Sequence, residues 1–163
     1  MIERVVTVTG KHLASTHNFL VRFGTPVSTL LDIAGLPEGD NKLLNGGPMM
    51  GRCIVDTTAP TIKGCSGITV LSGKDAVRGQ ELSCIKCGKW VEACPMGLEP
   101  YLLSKLGRMQ KWDIAEEHYA SDCIECGCCS YTCPSFLPLV DYIRLAKQAV
   151  AANMRARAAA NKK

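Results

Sequence analysis

The sequence predicts an α+β protein in which a small mixed sheet with one helix precedes an α-helical region rich in cysteine. Runs of β-branched residues, separated by turns rich in glycine and proline, fill the N-terminal part. Apolar residues at helical spacing dominate the C-terminal part. Ten cysteines are present, and seven of them fall in two runs of matching spacing. These observations indicate two structural parts with different chemistry.

The N-terminal part contains the strand signals and one helix signal. Arg4–Thr9 is rich in β-branched residues, and apolar residues alternate over Phe19–Phe23. A helix is predicted with Thr25 as N-cap, Pro26 at its first position and Gly35 at its end. This order of elements predicts a helix on one face of a small sheet. Further strands are predicted at Lys42–Leu44, Ile54–Val55 and Ile68–Leu71.

A polar stretch, Gly73–Gln80, separates the two parts. We predict a first domain over residues 1–75 and an α-helical domain over residues 80–150. In the second domain, leucine and other apolar residues recur every three or four positions, which is typical of amphipathic helices. The predicted helices are Glu99–Met109, Trp112–Ala120 and one that begins at Pro138.

The net charge of +4 is concentrated at the C-terminal end, where residues 144–163 contain basic residues and no acidic one. A basic segment can attract nucleic acid, anionic lipid or an acidic protein surface. No aromatic residue is interleaved with these charges, so we predict no nucleic-acid partner. We expect residues 151–163 to form a solvated, partly frayed tail. No apolar run reaches the roughly 18 residues of a membrane-spanning helix, so any membrane association is expected to come through partners.

The two cysteine runs share the spacing C-x2-C-x2-C-x3-C-P. In this pattern, three thiolates of one run ligate one iron–sulfur cluster and the fourth ligates the cluster of the other run. Trp90 occupies the third ligand position of the first run, and its indole N–H can only donate a hydrogen bond. The spacing therefore predicts two sites, of which the first lacks a ligand. The first site comprises Cys84, Cys87 and Cys133, and the second comprises Cys94, Cys123, Cys126 and Cys129.

For the complete second site we predict a [4Fe–4S] cluster, with structural zinc as the alternative because four cysteines also bind zinc readily. Three outcomes stay open for the first site because of Trp90: a [3Fe–4S] cluster, a labile cluster with an unprotected iron, or an empty site. Cys128 belongs to the opposite loop and is not expected to replace residue 90. Cys53 and Cys65 are predicted to be small buried apolar residues.

The sequence contains no nucleophile–base set, paired carboxylates or dinucleotide fingerprint. We therefore expect the chain to carry electrons and not to be catalytic alone. The N-terminal residues do not resemble a secretory signal segment. A disulfide framework has no reason to repeat cluster spacing, so a reducing compartment is expected.

Five segments, which occur in order, resemble the C-terminal half of the C subunit of the Rnf complex, an ion-translocating ferredoxin:NAD oxidoreductase. The resemblance implies a soluble-ligand-binding β-grasp (SLBB) domain followed by an α-helical ferredoxin domain with two [4Fe–4S] clusters. It also implies a peripheral subunit on the cytoplasmic side of the cell membrane, bound to other subunits of an electron-transport complex. The segments are Gly46–Gly51, Lys63–Ile68, Cys94–Leu98, Asp122–Gly127 and Pro138–Arg144.

This chain departs from that family in two respects. The family has a further domain that binds FMN and NADH, and no segment of this sequence resembles it. We expect that domain to be supplied elsewhere. This chain is then a fragment, a split subunit or a degenerate copy. Trp90 also stands where the family has a cysteine. The expected function is an electron-transfer module that relays electrons through iron–sulfur clusters. The alternatives are a cobalamin-reductase-type electron carrier and a non-redox SLBB or zinc-binding module.

Overall fold

The structure is a computed structural model, and it describes residues 1–161. It divides into a first unit, Met1–Arg78, and a second unit that begins at Gly79. This division falls inside the polar stretch at residues 73–80. Among residues 1–161, no helix is both long and apolar enough to cross a membrane.

The first unit contains a five-stranded mixed sheet. Its strand order is β2-β1-β5-β3-β4, with β1 and β5 parallel and the other neighbours antiparallel. The one α-helix of this unit is α1, Val27–Ala34. The strands are β1 (Glu3–Gly10), β2 (His17–Arg22), β3 (Asn41–Asn45), β4 (Arg52–Cys53) and β5 (Gly67–Ser72).

Period-two alternation along the strands gives the sheet one apolar face. Val6 and Val8 of β1 are fully buried, whereas Val5 beside them is 56% exposed. Apolar residues of α1 recur three and four positions apart, so they form one stripe, which is buried against the sheet. The core consists of Val6, Val8, Val21, Val27, Leu30, Leu31, Ala34, Leu43, Cys65, Ile68 and Val70.

Two details of the first unit differ from the sequence predictions. Pro26 and not Thr25 is the N-cap residue of α1, because the Thr25 hydroxyl donates a hydrogen bond back to the Arg22 carbonyl (2.9 Å). The fourth strand comprises Arg52 and Cys53 and ends before the predicted position. Cys53 is exposed there because β4 is a short edge strand, so its predicted burial was wrong. Cys65 is buried in the core, as predicted.

The second unit contains five α-helices and a 3-10 turn at Ala120–Asp122. The segment predicted to be a solvated, partly frayed helix end belongs to the last helix, which continues through Ala160, and Arg157 pairs with Glu116. Residues 162 and 163 lie outside the described residues. The helices are α2 (Lys89–Glu92), α3 (Pro100–Arg108), α4 (Trp112–Glu117), α5 (Cys128–Tyr131) and α6 (Leu139–Ala160).

The second unit is built from two copies of one arrangement, spaced 39 residues apart. Each copy has a cysteine loop, a one-turn helix, a Cys-Pro turn and a longer helix. Helices α2 and α3 form the first copy, and α5 and α6 form the second. Sequence analysis found the repeated cysteines but missed that the repeat extends through the helices, whose side chains differ between the copies.

Helices α3 and α6 pack closely where small residues meet. A Cβ atom at Gly107 would lie 2.2 Å from the Tyr142 carbonyl oxygen and 3.4 Å from the Cβ of Ala146. Gly107 and Ala146 occupy equivalent positions of the two copies. The contact with a backbone atom leaves no room for a larger residue, because a carbonyl of α6 cannot rotate away without breaking the helix.

We expect Gly107→Ala to destabilise the second unit by about 1–3 kcal/mol, since overpacking outweighs the gain in helix propensity of about 1 kcal/mol. Chemical denaturation followed by tryptophan fluorescence measures this, because both tryptophans lie in the second unit. An unchanged unfolding midpoint for Gly107→Ala would contradict the expected crowding.

Candidate metal centre

The two cysteine loops have the same backbone conformation. Lys86 and Glu125, two residues after the first cysteine of each loop, have φ angles of 55° and 56°. Gly88 and Gly127 follow the second cysteine with φ angles of 73° and 80°. Glycine suits this left-handed region, whereas Lys86 and Glu125 adopt it at a cost in strain. The matched conformation turns both loops around their cysteine side chains.

Backbone N–H groups point at three of the cysteine sulfurs. Lys86 N–H donates to Cys84 Sγ, and Glu125 N–H donates to Cys123 Sγ, each at 3.4 Å. Leu98 N–H donates to Cys94 Sγ at 3.4 Å. Donors of this kind stabilise a thiolate over a thiol, which is the form that ligates metal.

All four cysteines predicted for the second site line one cavity. Cys123, Cys126 and Cys129 come from the second copy, and Cys94 comes from the first. Four sulfurs from two loops form the donor set that a four-iron cluster requires. Among residues 1–161, no three His, Cys, Asp or Glu side chains are arranged so that they could hold a single metal ion. The remaining wall is mostly apolar and includes Leu98, Leu103, Val140 and Ile143.

Burial disfavours the charged form of the thiols in this cavity. It raises the pKa of Cys123, an effect that the Glu125 N–H and the charge of Lys147 oppose. Burial also raises the pKa of Cys129 to about 11. Both groups are therefore neutral thiols at pH 7, and a bound metal has to displace their protons. Cys128 lies beside these four cysteines and forms a hydrogen bond with the Cys126 thiol. This hydrogen bond raises the pKa of Cys128.

Charged side chains of α6 hold the second cysteine loop. Lys147 Nζ donates a 2.6 Å hydrogen bond to the Cys123 carbonyl and lies 3.5 Å from Glu125 Oε1. Arg144 Nε donates to Glu125 Oε2 at 3.0 Å. These side chains are mostly buried, with exposed fractions of 15% for Arg144 and 31% for Lys147. The contacts join the loop to the helix that lines the cavity.

We expect Lys147→Met to destabilise the second unit by about 1–2 kcal/mol, because it removes a partly exposed, charge-assisted hydrogen bond to the loop backbone. Thermal unfolding followed by tryptophan fluorescence measures this loss. Arg155→Met is the matched control, since Arg155 is exposed on the same helix. Equal melting temperatures for the two variants would show that Lys147 does not hold the loop.

The first predicted site is different in the structure. Cys84 lines another cavity, whose wall includes neither Cys87 nor Cys133. Cys87 is exposed, whereas Cys133 is buried among the apolar residues of the second unit. Trp90, at the position equivalent to Cys129, stacks on Tyr101 with ring centroids 5.9 Å apart and an angle of 26°. With Trp90 at the third ligand position, the first site offers three cysteine sulfurs, one fewer than a four-iron cluster requires.

Tyr101 lines the first cavity, although the cysteine spacing did not predict it as a residue of the first site. Tyr101 is equivalent to Val140 of the second copy, and both line the cavity of their own copy. The 39-residue spacing of the cysteines was the signal that could have found it, because it aligns α3 with α6 position by position.

Comparison with known proteins yields relatives over most of the chain. It is 42% identical over 120 residues to the C subunit of the proton-translocating ferredoxin:NAD(+) oxidoreductase complex of Clostridium ljungdahlii, covering 73% of this chain and 26% of that protein. It is 41% identical over 154 residues to the C subunit of the ion-translocating oxidoreductase complex of Serratia proteamaculans, and the alignment covers 93% of this chain and 22% of that protein. The protein of the same name from Yersinia pestis is 42% identical over 154 residues, and the alignment covers 93% of this chain and 25% of that protein.

The chain thus spans 22% to 26% of the length of these curated relatives. No protein-family model matches it.

Proposed function

This chain is a homologue of part of the C subunit of ion-translocating oxidoreductase complexes, and we propose that it is an electron-transfer module with a [4Fe–4S] cluster in its second unit. The supporting observation is the single cavity lined by cysteines from both copies. When bound, such a cluster supplies a one-electron redox centre. Its ligands are Cys94, Cys123, Cys126 and Cys129.

The side chains around the cavity have distinct roles in this proposal. The cysteines bind the cluster as thiolates, and the N–H groups of Leu98 and Glu125 donate to their sulfurs. Leu103 and Ile143 exclude water from the buried side, since both are at most 1% exposed. Hydrogen bonds to sulfur, local charge and solvent access set the reduction potential of a cluster, so these residues tune it.

The first unit has a separate role in this proposal. We assign the first unit as an SLBB domain of the β-grasp type. The assignment is supported by a mixed sheet in which β1 and β5 are parallel and one helix covers the apolar face. The second unit would receive electrons from a flavin- and NADH-binding partner and pass them to other subunits. The relatives are C subunits of ion-translocating complexes, which supports this assembly. In it the chain is a peripheral subunit on the cytoplasmic side.

Metal analysis of the anaerobically purified chain tests the proposal. We expect about four irons and about four acid-labile sulfides per chain, and an EPR signal of a four-iron cluster after reduction by dithionite. Oxidation of the reduced chain by a flavin, followed optically, tests electron transfer. Zinc without sulfide, or a chain with neither iron nor zinc, would contradict the proposal.

A further inference from the structure

The two copies in the second unit allow a position-by-position comparison of the two sites. At the third ligand position, Cys129 lines the second cavity, and Trp90 stands at the equivalent place. A change of this one residue would remove a single ligand and leave the surrounding wall intact. The residues that line the first cavity therefore show whether the two sites differ at the third ligand position alone or also in the side chains around it.

The wall of the first site differs from that of the second at several positions. Tyr101 replaces Val140, Ser104 replaces Ile143 and Tyr142 replaces Leu103, while the leucines at 98 and 137 correspond. Three apolar residues thus have polar or aromatic counterparts. The changes occur on the helix faces that line each cavity, so the first site differs from the second in part of its wall as well as at the third ligand position.

Tyr101 lines this altered site, and Trp90 stands at its third ligand position. Their rings stack, and both pack against the buried core of the second unit. Trp90 thereby joins the first copy's one-turn helix α2 to α3 by direct contact. The indole N–H is buried and has no hydrogen-bond partner among the described residues. Packing of the ring therefore outweighs the cost of leaving this donor unpaired.

We propose that the Trp90–Tyr101 pair occupies the first site in place of a cluster, and that the chain carries one cluster only. The pair joins loop and helix where a cluster would otherwise connect them. Cys84 and Cys87 are then free thiols, of which Cys87 is exposed and Cys84 is half-buried. This inference rests on the proposed function in one respect: the cluster proposed for the second site is the reference against which the first site is compared.

Alkylation of the anaerobically purified, cluster-containing chain by iodoacetamide, followed by peptide mass spectrometry, tests the inference. We expect modification of Cys84 and Cys87 and protection of the four cysteines of the second site. Exposed Cys53 is the positive control, and buried Cys65 is the negative control. Protection of both Cys84 and Cys87, or seven to eight irons per chain (about one further cluster), would overturn the inference. Modification of the second-site cysteines would instead overturn the proposed function.

Two variants test the role of the aromatic pair. We expect Trp90→Cys alone to keep about four irons, because Tyr101 still occupies the site, and Trp90→Cys with Tyr101→Val to approach about eight. Valine is the residue found at the equivalent position 140. About eight irons in the single variant would show that Tyr101 does not exclude a cluster. About four irons in the double variant would show that the pair is not what excludes it.

Discussion

The double variant Cys123→Ala, Cys126→Ala should lose nearly all of its iron, falling from about four atoms per chain to less than about one. Two of the four sulfurs that line the cavity disappear together, so the remaining two cannot retain even a three-iron cluster. Iron and acid-labile sulfide assays of the anaerobically purified variant measure this loss. Because substitution on a loop leaves the helices without new clashes, we expect the chain to remain folded by circular dichroism.

The chain provides a closely matched control for that experiment. Cys84 and Cys87 occupy the equivalent positions of a loop with the same backbone conformation. Replacing both with alanine makes the same chemical change, yet we expect iron content and the EPR spectrum to stay unchanged. If the two double variants lose iron equally, the assignment of the cluster to the second site is wrong.

Removal of the cluster should lower the melting temperature of the second unit by at least about 15 °C. A ligand present at a thousand times its dissociation constant stabilises a fold by about 4 kcal/mol. In a domain of this size, each kcal/mol corresponds to about 4–8 °C. Anaerobic treatment with an iron chelator and an oxidant removes the cluster. Fluorescence then reports the second unit alone, since the tryptophans and tyrosines all lie beyond residue 78.

The first unit is the internal control for cluster removal. Its core contains none of the cluster ligands, so hydrogen exchange of β1 and β5 should not change when the cluster is removed. Loss of protection in these strands would show that the cluster stabilises the whole chain. An unchanged melting temperature of the second unit would show that the helices do not depend on the cluster.

The four cysteines that line one cavity in the second unit were picked out in the sequence by their regular spacing. The cysteines at 94 and at 123–129 lie in different runs and yet line one cavity, an arrangement consistent with the predicted exchange of the fourth ligand. Strand and helix positions also followed from periodicity, as in β1 and α3. Both signals depend on residue type at regular intervals, which a sequence displays directly.

Other features depend on three-dimensional contacts that the sequence does not display. Lys86 and Glu125 have left-handed backbone conformations, although neither is a residue type that favours them. Cys53 is exposed because β4 pairs on one side only, and an apolar residue at a sheet edge looks in sequence like one in the core. Tyr101 carries no cysteine-like signal in the sequence, and its place in the wall of the first cavity depends on how α3 packs.

The position of Cys94 has a consequence for how the two copies can diverge. This cysteine belongs to the first copy but lines the cavity of the second. The two parts of the first copy are therefore constrained differently. The side chains that line its own cavity differ from those of the second copy, whereas the proposed cluster requires that the Cys94-Pro95 turn keeps a sulfur at the second cavity. In the proposed one-cluster chain, the first copy binds no cluster of its own and is still required, because it supplies one sulfur atom to the cluster of the second.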